Sequence, residues 1–299
     1  MDQYLAGLTT ETVNPNTACI DECSTEEILR LINAEDERVP KAVAAEIPSL
    51  AKAVDLAYER LLRGGRMFYA GCGTSGRLGV LDASECPPTY GVSPELVQGY
   101  IAGGDIALRN AVEGSEDDAE AGAQLVRDHN LTEKDVLVGI TASGSAPYVL
   151  GAVQEAAARG AATIALVNNK SSKLEALCQV TVAPVVGPEV IMGSTRMKSG
   201  TAQKLVLNML STSVMVKLGK VYNNLMVDLQ CTNKKLRDRS ARIFCAATGA
   251  DSETAAARLE QAGGTLKTAI LMELAGIDRA EAEARLERSG GRLKQAAQG

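Results

Sequence analysis

Short apolar runs alternate with helical patterns along much of the chain. The runs cover residues 67–70, 97–101, 136–141, 163–167 and 180–185. The helical patterns between them cover about 76–85, 105–113, 117–128, 147–158 and 171–177. Strands that alternate with helices in this way form parallel sheets with helices packed on both faces. We therefore predict an α/β fold in which a parallel sheet is flanked by helices.

Longer helical patterns stand before and after this region. Residues 40–62 place apolar side chains at spacings of three and four, and the pattern ends at Gly64 and Gly65. A second long stretch begins after Ser194, is apolar on most sides, and ends at Gly219. We interpret it as a central or interface helix, and we predict one more helix over 227–248.

The last fifty residues contain an internal repeat. Residues 258–269 (RLEQAGGTLKTA) match residues 285–296 (RLERSGGRLKQA) at eight of twelve positions with an offset of 27. Each copy is typical of a helix that ends at Gly-Gly and is followed by a second helix. We therefore predict two domains: residues 1–248 with the sheet and the N-terminal helices, and residues 249–299 as a small helical subdomain.

Composition and charge narrow the classes of function. The 37 acidic and 31 basic residues give a net charge of −6, which does not favour a nucleic-acid partner. The N-terminus has no basic stretch followed by an apolar core, and the most apolar long segment, 205–218, is interrupted by polar residues. We therefore expect a cytoplasmic protein that does not interact with membranes.

The cysteines and the single histidine indicate neither a metal site nor a histidine-based triad. The seven cysteines are odd in number and scattered, which favours free thiols. Cys19 and Cys23 are four residues apart, but there is no second cysteine pair, and His129 lies far along the chain. We predict no metal, and we expect carboxylates, lysines or tyrosines to carry any acid–base chemistry.

Three loops that precede predicted helices are rich in glycine and hydroxyl side chains. They are GCGTSG (71–76), TASGS (141–145) and GST (193–195). Helix N-termini offer N–H donors and hydroxyls add more, so these loops suit a phosphate group. The first loop lacks the lysine of the P-loop motif that binds nucleoside triphosphates. It fits the dinucleotide pattern poorly, because no acidic residue ends the second predicted strand. Loops that serve only as caps and turns remain the alternative.

Two glutamates are candidates for acid–base work. Glu85 ends the helix that follows the first loop and directly precedes Cys86, Pro87 and Pro88. Glu116 lies in the turn VEGSEDD. Each residue taken alone fits a solvated surface glutamate. Beside a sugar-phosphate pocket, however, one carboxyl with a raised pKa could act as an acid while the other acts as a base.

These stretches together closely resemble the N-acetylmuramic acid 6-phosphate etherases of the sugar isomerase domain superfamily. The matching segments are 71–92, 101–118, 138–149, 187–212 and 220–236. The resemblance extends from about Leu8 to the C-terminal repeat. It implies cleavage of the D-lactyl ether at C3 of N-acetylmuramic acid 6-phosphate, which gives N-acetylglucosamine 6-phosphate and D-lactate without a metal or an organic cofactor. It also implies a homodimer with sites near the subunit interface.

The resemblance also implies roles for single residues. Glu85 is similar to the acid that protonates the departing ether oxygen, and Glu116 to the base at C2. The hydroxyls that resemble the phosphate- and sugar-binding groups are Thr74, Ser75, Ser143, Ser145, Ser194 and Thr195. Lys198 could face the site or be structural. The chain departs from the family pattern at two places. Cys72 stands where alanine is expected, which should be harmless. Ser145-Ala146 stand where Arg-Thr is commoner, which puts the contact of the second loop with the substrate in doubt.

Two other functions remain open at this stage. A sugar-phosphate isomerase on the same fold would also move a C2 proton with a carboxylate, but it would not need a second acid aimed at C3. A regulatory protein that senses sugar phosphates would bind them without turnover. The presence of both glutamates argues against the regulatory protein.

Overall fold

A parallel sheet forms the centre of the first part of the chain. The computed structural model describes residues 7–229 and 234–299, except the side chains of 234 and 235. The five strands are β1 (Met67–Gly71), β2 (Val97–Ile101), β3 (Val136–Ile140), β4 (Ala162–Leu166) and β5 (Val180–Val182). All neighbouring strands are parallel, in the order β2-β1-β3-β4-β5. The predicted α/β fold is confirmed.

The register brings the strand ends to one edge. Met67 pairs with both Val97 and Val136, and Val136 pairs with Ala162, so the first residues of four strands lie level. Every residue of β1, β3 and β4 is buried. Such runs of buried apolar residues are typical of strands covered on both faces. The loops that follow these strands therefore begin side by side at the carboxyl edge of the sheet.

Eight helices accompany or follow the sheet in the described residues up to 229. They are α1 (Thr25–Asp36), α2 (Val39–Ala45), α3 (Ile47–Leu62), α4 (Gly73–Tyr90), α5 (Gly104–Arg109), α6 (Ala119–Asp128), α7 (Pro147–Ala158) and α8 (Lys198–Lys217). Ser24 and Glu27 form the capping box of α1. Short 3₁₀ turns occur at Thr9–Glu11 and Ser115–Asp117. No helix of the described residues is both long and apolar enough to cross a membrane.

A buried aspartate ties β1 to the two long helices. Asp82 on α4 accepts hydrogen bonds from the Tyr69 hydroxyl at 2.9 Å, the Asn208 amide at 2.7 Å and the Ser211 hydroxyl at 3.1 Å. Burial raises the pKa of Asp82, although these hydrogen bonds act in the opposite direction. The three donors satisfy a carboxyl group that would otherwise be costly to bury.

The described contacts divide the chain into two compact units. The first runs up to Ser84 and continues over Glu95–Ser211, and the second comprises Glu85–Pro94 and Thr212–Gly299. The second unit holds the β6–β7 hairpin (Val221–Tyr222 and Leu225–Met226) and five helices. These are α9 (Lys234–Thr248), α10 (Ser252–Gln261), α11 (Leu266–Ala275), α12 (Arg279–Arg288) and α13 (Leu293–Ala297).

The predicted domain boundary after residue 248 does not coincide with the boundaries of these two compact units. Helix α9 belongs with the C-terminal helices because Phe244 is fully buried in the same apolar core as Leu266 and Ile270. The boundary between 1–248 and 249–299 remains a prediction about domains. The helix predicted over 227–248 is described from Lys234 to Thr248. Residues 227–229 are not helical, and residues 230–233 lie outside the described part of the chain.

The two copies of the repeat adopt the same local structure. Asp251 caps α10 and Asp278 caps α12, and each pair of helices is joined through Gly-Gly residues with positive φ. The repeated lysines differ in environment. Lys267 is buried and donates to the carbonyls of Gly219 and Gly291 and to Asp228, whereas Lys294 is exposed. Burial lowers the pKa of Lys267 against the opposing effect of Asp228.

Candidate active site

A cavity of about 520 Å³ opens at the carboxyl edge of the sheet in the first unit. Ligands of open parallel sheets bind at this edge, where strands lead into helix N-termini. The lining residues come from the first two glycine-rich loops and from four other segments. They are Glu11, Cys72, Gly73, Thr74, Ser75, Glu116, Asp117, Thr141, Ala142, Ser143, Ser145, Ala146, Pro147, Lys173 and Thr195.

The first loop turns directly from β1 into α4. Gly73 has φ of +50°, and a Cβ on Gly76 would lie 2.6 Å from the Ile101 side chain and 2.7 Å from the Gly71 carbonyl. No larger residue fits at Gly76 without moving backbone. Thr74 and Ser75 therefore lie in the first turn of α4, where backbone N–H groups have no partner within the helix. This is the geometry of an anion site.

A buried hydrogen-bond chain holds the first loop in place. The Ser75 hydroxyl donates to Gln203 at 2.9 Å, and the Gln203 amide donates to Asn168 at 3.0 Å. All three side chains are buried. Because this hydroxyl hydrogen is already used by Gln203, Ser75 offers a ligand its backbone N–H and its oxygen lone pairs.

The second loop presents a cluster of hydroxyls. The Ser143 Oγ lies 3.0 Å from the Ser145 Oγ and 3.3 Å from the Thr141 Oγ1. Gly144 between the serines has φ of +73°, and a Cβ there would come within 2.3 Å of Ser172. Helix α7 then begins at Pro147, so the loop again ends at a helix N-terminus.

The third loop contributes less than the sequence predicts. Thr195 lines the cavity, but Ser194 is not among the lining residues. The helix begins only at Lys198, and the buried Glu189 accepts the N–H groups of Lys198 and Ser199, both at 2.9 Å. A carboxylate of the protein itself therefore occupies the anion position at the start of α8.

Lys198 has a structural role in this arrangement. It is fully buried, and its ammonium group pairs with the buried carboxylate of Glu35. Desolvation opposes ionisation of Glu35, but hydrogen bonds from Lys198 and Asn16 outweigh it and lower the pKa of that carboxyl. Lys198 is not among the residues that line the cavity.

The two predicted catalytic glutamates are placed differently. Glu116 lines the cavity, on the turn that follows Gly114, whose φ is +74°. Its side chain is exposed at the cavity, yet partial desolvation by the surrounding protein, together with the charge of Asp117, raises the pKa of its carboxyl. Glu85 lies on α4 in the second unit, has an exposed side chain, and is not among the lining residues.

Sequence reasoning missed three charged residues of the cavity: Glu11, Asp117 and Lys173. The segment with Glu11 is held by Asn169, which accepts the N–H and the hydroxyl of Thr9 at 2.9 and 2.8 Å. Such a contact between positions 160 residues apart leaves no local pattern in the sequence. Lys173 did carry a signal, since it lies shortly after the predicted strand 163–167, whereas Asp117 follows the predicted helix 105–113.

Cys72 lines the cavity with a partly buried thiol. Burial, and then the nearby Glu116 and Asp117, raise the pKa of its thiol to about 12, so it is protonated at neutral pH. Within the described residues, no group of three or more histidine, cysteine, aspartate or glutamate side chains is arranged to hold a metal ion. The predicted absence of metal and cofactor remains a prediction.

Comparison with known families and structures agrees with the fold. A model of the SIS domain matches residues 117–213, and a model of the glucokinase regulatory protein N-terminal SIS domain matches residues 49–157. A phosphoheptose isomerase structure from Neisseria gonorrhoeae aligns with a TM-score of 0.50 and 22% identity, over 64% of this chain and 98% of that one. At this identity the likeness shows the fold alone.

Curated relatives are far more similar. Proteins named N-acetylmuramic acid 6-phosphate etherase from Clostridium acetobutylicum and Pectobacterium atrosepticum are both 55% identical over 91% of this chain, and cover 90% and 89% of their own lengths. The protein of that name from Caldanaerobacter subterraneus is 56% identical over 90% of this chain and 88% of its own. The sequence resemblance is thereby confirmed: the chain belongs to the N-acetylmuramic acid 6-phosphate etherase family.

Proposed function

We propose that the protein cleaves the D-lactyl ether of N-acetylmuramic acid 6-phosphate, giving N-acetylglucosamine 6-phosphate and D-lactate. The observation that carries this proposal is Glu116, a carboxyl with a raised pKa in a cavity walled by hydroxyls and helix N-termini. The membership of the chain in the etherase family supplies the identity of the sugar. We also propose that the protein acts in the cytoplasm as a homodimer.

The phosphate is proposed to bind at the two loops that begin α4 and α7. Thr74, Ser143 and Ser145 carry hydroxyls there, and Ser75 offers its backbone N–H. Thr195 adds a hydroxyl from the third loop. Ser194 acts indirectly in this proposal. Its N–H closes a turn onto Ile191 at 3.0 Å and so sets the position of the residue that follows it.

Glu116 is the proposed base. In the open-chain aldehyde the carbonyl at C1 acidifies the C2 proton, and a carboxylate with a raised pKa is a better acceptor for it. The electron pair from the C2–H bond first forms an enolate with the C1 carbonyl. It then forms the C2–C3 double bond as the C3–O bond breaks. The lactyl oxygen keeps that bond's electron pair and takes a proton from a carboxylic acid. Water then adds at C3, and a proton returns to C2.

Glu85 is the proposed acid, and we propose that it reaches the sugar from a second copy of the chain. Its side chain is exposed, and it is not among the residues that line the cavity. A partner molecule in a homodimer could place this carboxyl beside C3.

Release of D-lactate separates the etherase from the two alternatives. The purified protein should release one D-lactate for each N-acetylglucosamine 6-phosphate formed, measured by mass spectrometry. An isomerase would convert the sugar phosphate without releasing lactate. A sensor would bind it with no product, so either result would contradict the proposed reaction.

The two glutamates should affect separate steps. Glu85→Gln should reduce lactate release by at least about a hundredfold, because the acid is lost, while some exchange of the C2 hydrogen with solvent continues. Glu116→Gln should suppress both. Proton NMR in deuterated water measures the exchange. Complete loss of exchange in Glu85→Gln would contradict this division of roles.

Mixing the two inactive variants tests the proposed source of the acid. If Glu85 serves the site of the partner, a dimer with one Glu85→Gln and one Glu116→Gln subunit contains one intact site. Unfolding and refolding an equal mixture should then restore about a quarter of wild-type activity, because half of the dimers are mixed and each has one site of two. Each variant refolded alone is the control, and no recovery in a verified mixed dimer would place both glutamates of a site on one chain.

The raised pKa of Glu116 predicts the pH dependence. A base must be ionised, so kcat/KM should fall as pH decreases through a pKa that lies above the ordinary glutamate value of 4.5. Asp117→Asn removes one cause of the elevation and should move this acidic limb to lower pH. Profiles of wild type and variant with the same substrate isolate the shift, since the titration of the substrate phosphate is common to both. A limb that moves to higher pH would contradict the assignment.

A further inference from the structure

The charges on the cavity wall are unbalanced for a phosphate ligand. Among the described residues that line the cavity, Lys173 carries the only positive charge, whereas Glu11, Glu116 and Asp117 carry carboxyl groups. A phosphate monoester brings a further charge of about −1.5 to −2 at neutral pH. Hydroxyls and helix N-termini orient donors toward it but add no full positive charge.

The backbone places Lys173 beside the second hydroxyl loop. The N–H of Leu174 donates to the carbonyl of Gly144 at 3.0 Å. On the other side of Lys173, Ser172 packs so closely that a Cβ on Gly144 would come within 2.3 Å of it. Both neighbours of Lys173 therefore contact the glycine between Ser143 and Ser145. Because these two contacts fix the backbone on both sides of Lys173, the base of its side chain is held next to those hydroxyls.

Lys173 and the proposed base reach the cavity from different segments of the chain. Glu116 lies on the turn Ser115–Asp117, beyond α5, and its charge acts on the Cys72 thiol after β1. Lys173 lies in the loop after β4, between two residues that contact Gly144 of the second loop. The proposed phosphate site at the second loop is therefore flanked by Lys173.

We propose that Lys173 binds the phosphate of the sugar phosphate and determines its affinity, an inference that rests on the proposed function for the identity of the sugar. An ammonium group on a flexible four-carbon chain acts as a point charge that can follow the phosphate oxygens. Lys173 is a binding residue in this proposal and takes no part in proton transfer. Loss of Lys173 should weaken binding of the ground state and of the transition state equally. We therefore expect KM to rise and kcat to change little.

Lys173→Gln tests this with two ligands that share the phosphate. N-acetylglucosamine 6-phosphate carries no lactyl carboxylate, and its affinity is measured by calorimetry without turnover. The variant should raise the Kd of this ligand and the KM of N-acetylmuramic acid 6-phosphate by the same factor, about fivefold or more. Lys173→Arg should stay within about twofold of wild type, since it keeps the charge. The matched control is Lys170→Gln, an exposed lysine of the same loop that does not line the cavity.

The possible results separate the assignments. A rise confined to N-acetylmuramic acid 6-phosphate would assign Lys173 to the lactyl carboxylate and overturn the proposal. Unchanged affinity for both ligands would overturn it as well. Because the calorimetric measurement needs no reaction, its outcome stands even if the wild-type protein releases no lactate, which would contradict only the proposed function.

Moving the charge within the cavity provides a second test. Ser145 lines the cavity beside Gly144, so an arginine there would carry its charge to the same region as Lys173. Ser145→Arg combined with Lys173→Gln should bind N-acetylglucosamine 6-phosphate more tightly than Ser145→Ala combined with Lys173→Gln, which lacks the same hydroxyl but adds no charge. Equal affinity of the two folded double variants would show that charge at this part of the cavity does not bind the phosphate.

Discussion

The close approach of Gly71 and Gly76 is the contact on which the geometry of the cavity depends. A Cβ on Gly71 would lie 2.7 Å from the Gly76 nitrogen, and one on Gly76 would meet both the Gly71 carbonyl and Ile101. Without side chains at these positions, α4 starts within two residues of the end of β1. The helix N-terminus therefore lies at the carboxyl edge of the sheet, level with the hydroxyl loop after β3.

Buried charges fix the start of α8, the helix that follows Thr195 of the cavity wall. Glu189 accepts two N–H groups at the start of α8, and Lys198 in the same turn pairs with Glu35 near the N-terminus. Removing one partner of such a buried pair leaves an uncompensated charge, which typically costs about 3–5 kcal/mol. These residues are polar and close to the cavity, yet their role is to fix backbone. The lining groups, which meet solvent, are left for a ligand.

Much of the fold could be predicted from the sequence because strand and helix patterns are local. The five apolar runs became the five strands, and the glycine and hydroxyl loops became the cavity rim, with Thr74, Ser75, Ser143, Ser145 and Thr195 on its wall. The capping of α8 by Glu189 could not be predicted from local patterns, since it depends on how the chain folds back between residues 189 and 198.

The unequal lysines of the C-terminal repeat show how a duplicated unit acquires a unique place in a fold. Lys267 reaches backward to Gly219 and forward to Gly291, so the inner copy is joined to the hairpin region and to the outer copy through one ammonium group. The outer copy supplies a carbonyl and keeps its own lysine in solvent. Exchanging the copies would preserve nearly every local helix signal while changing which flanking residues surround each lysine. The two copies therefore share their local helix signals but are not interchangeable in the fold.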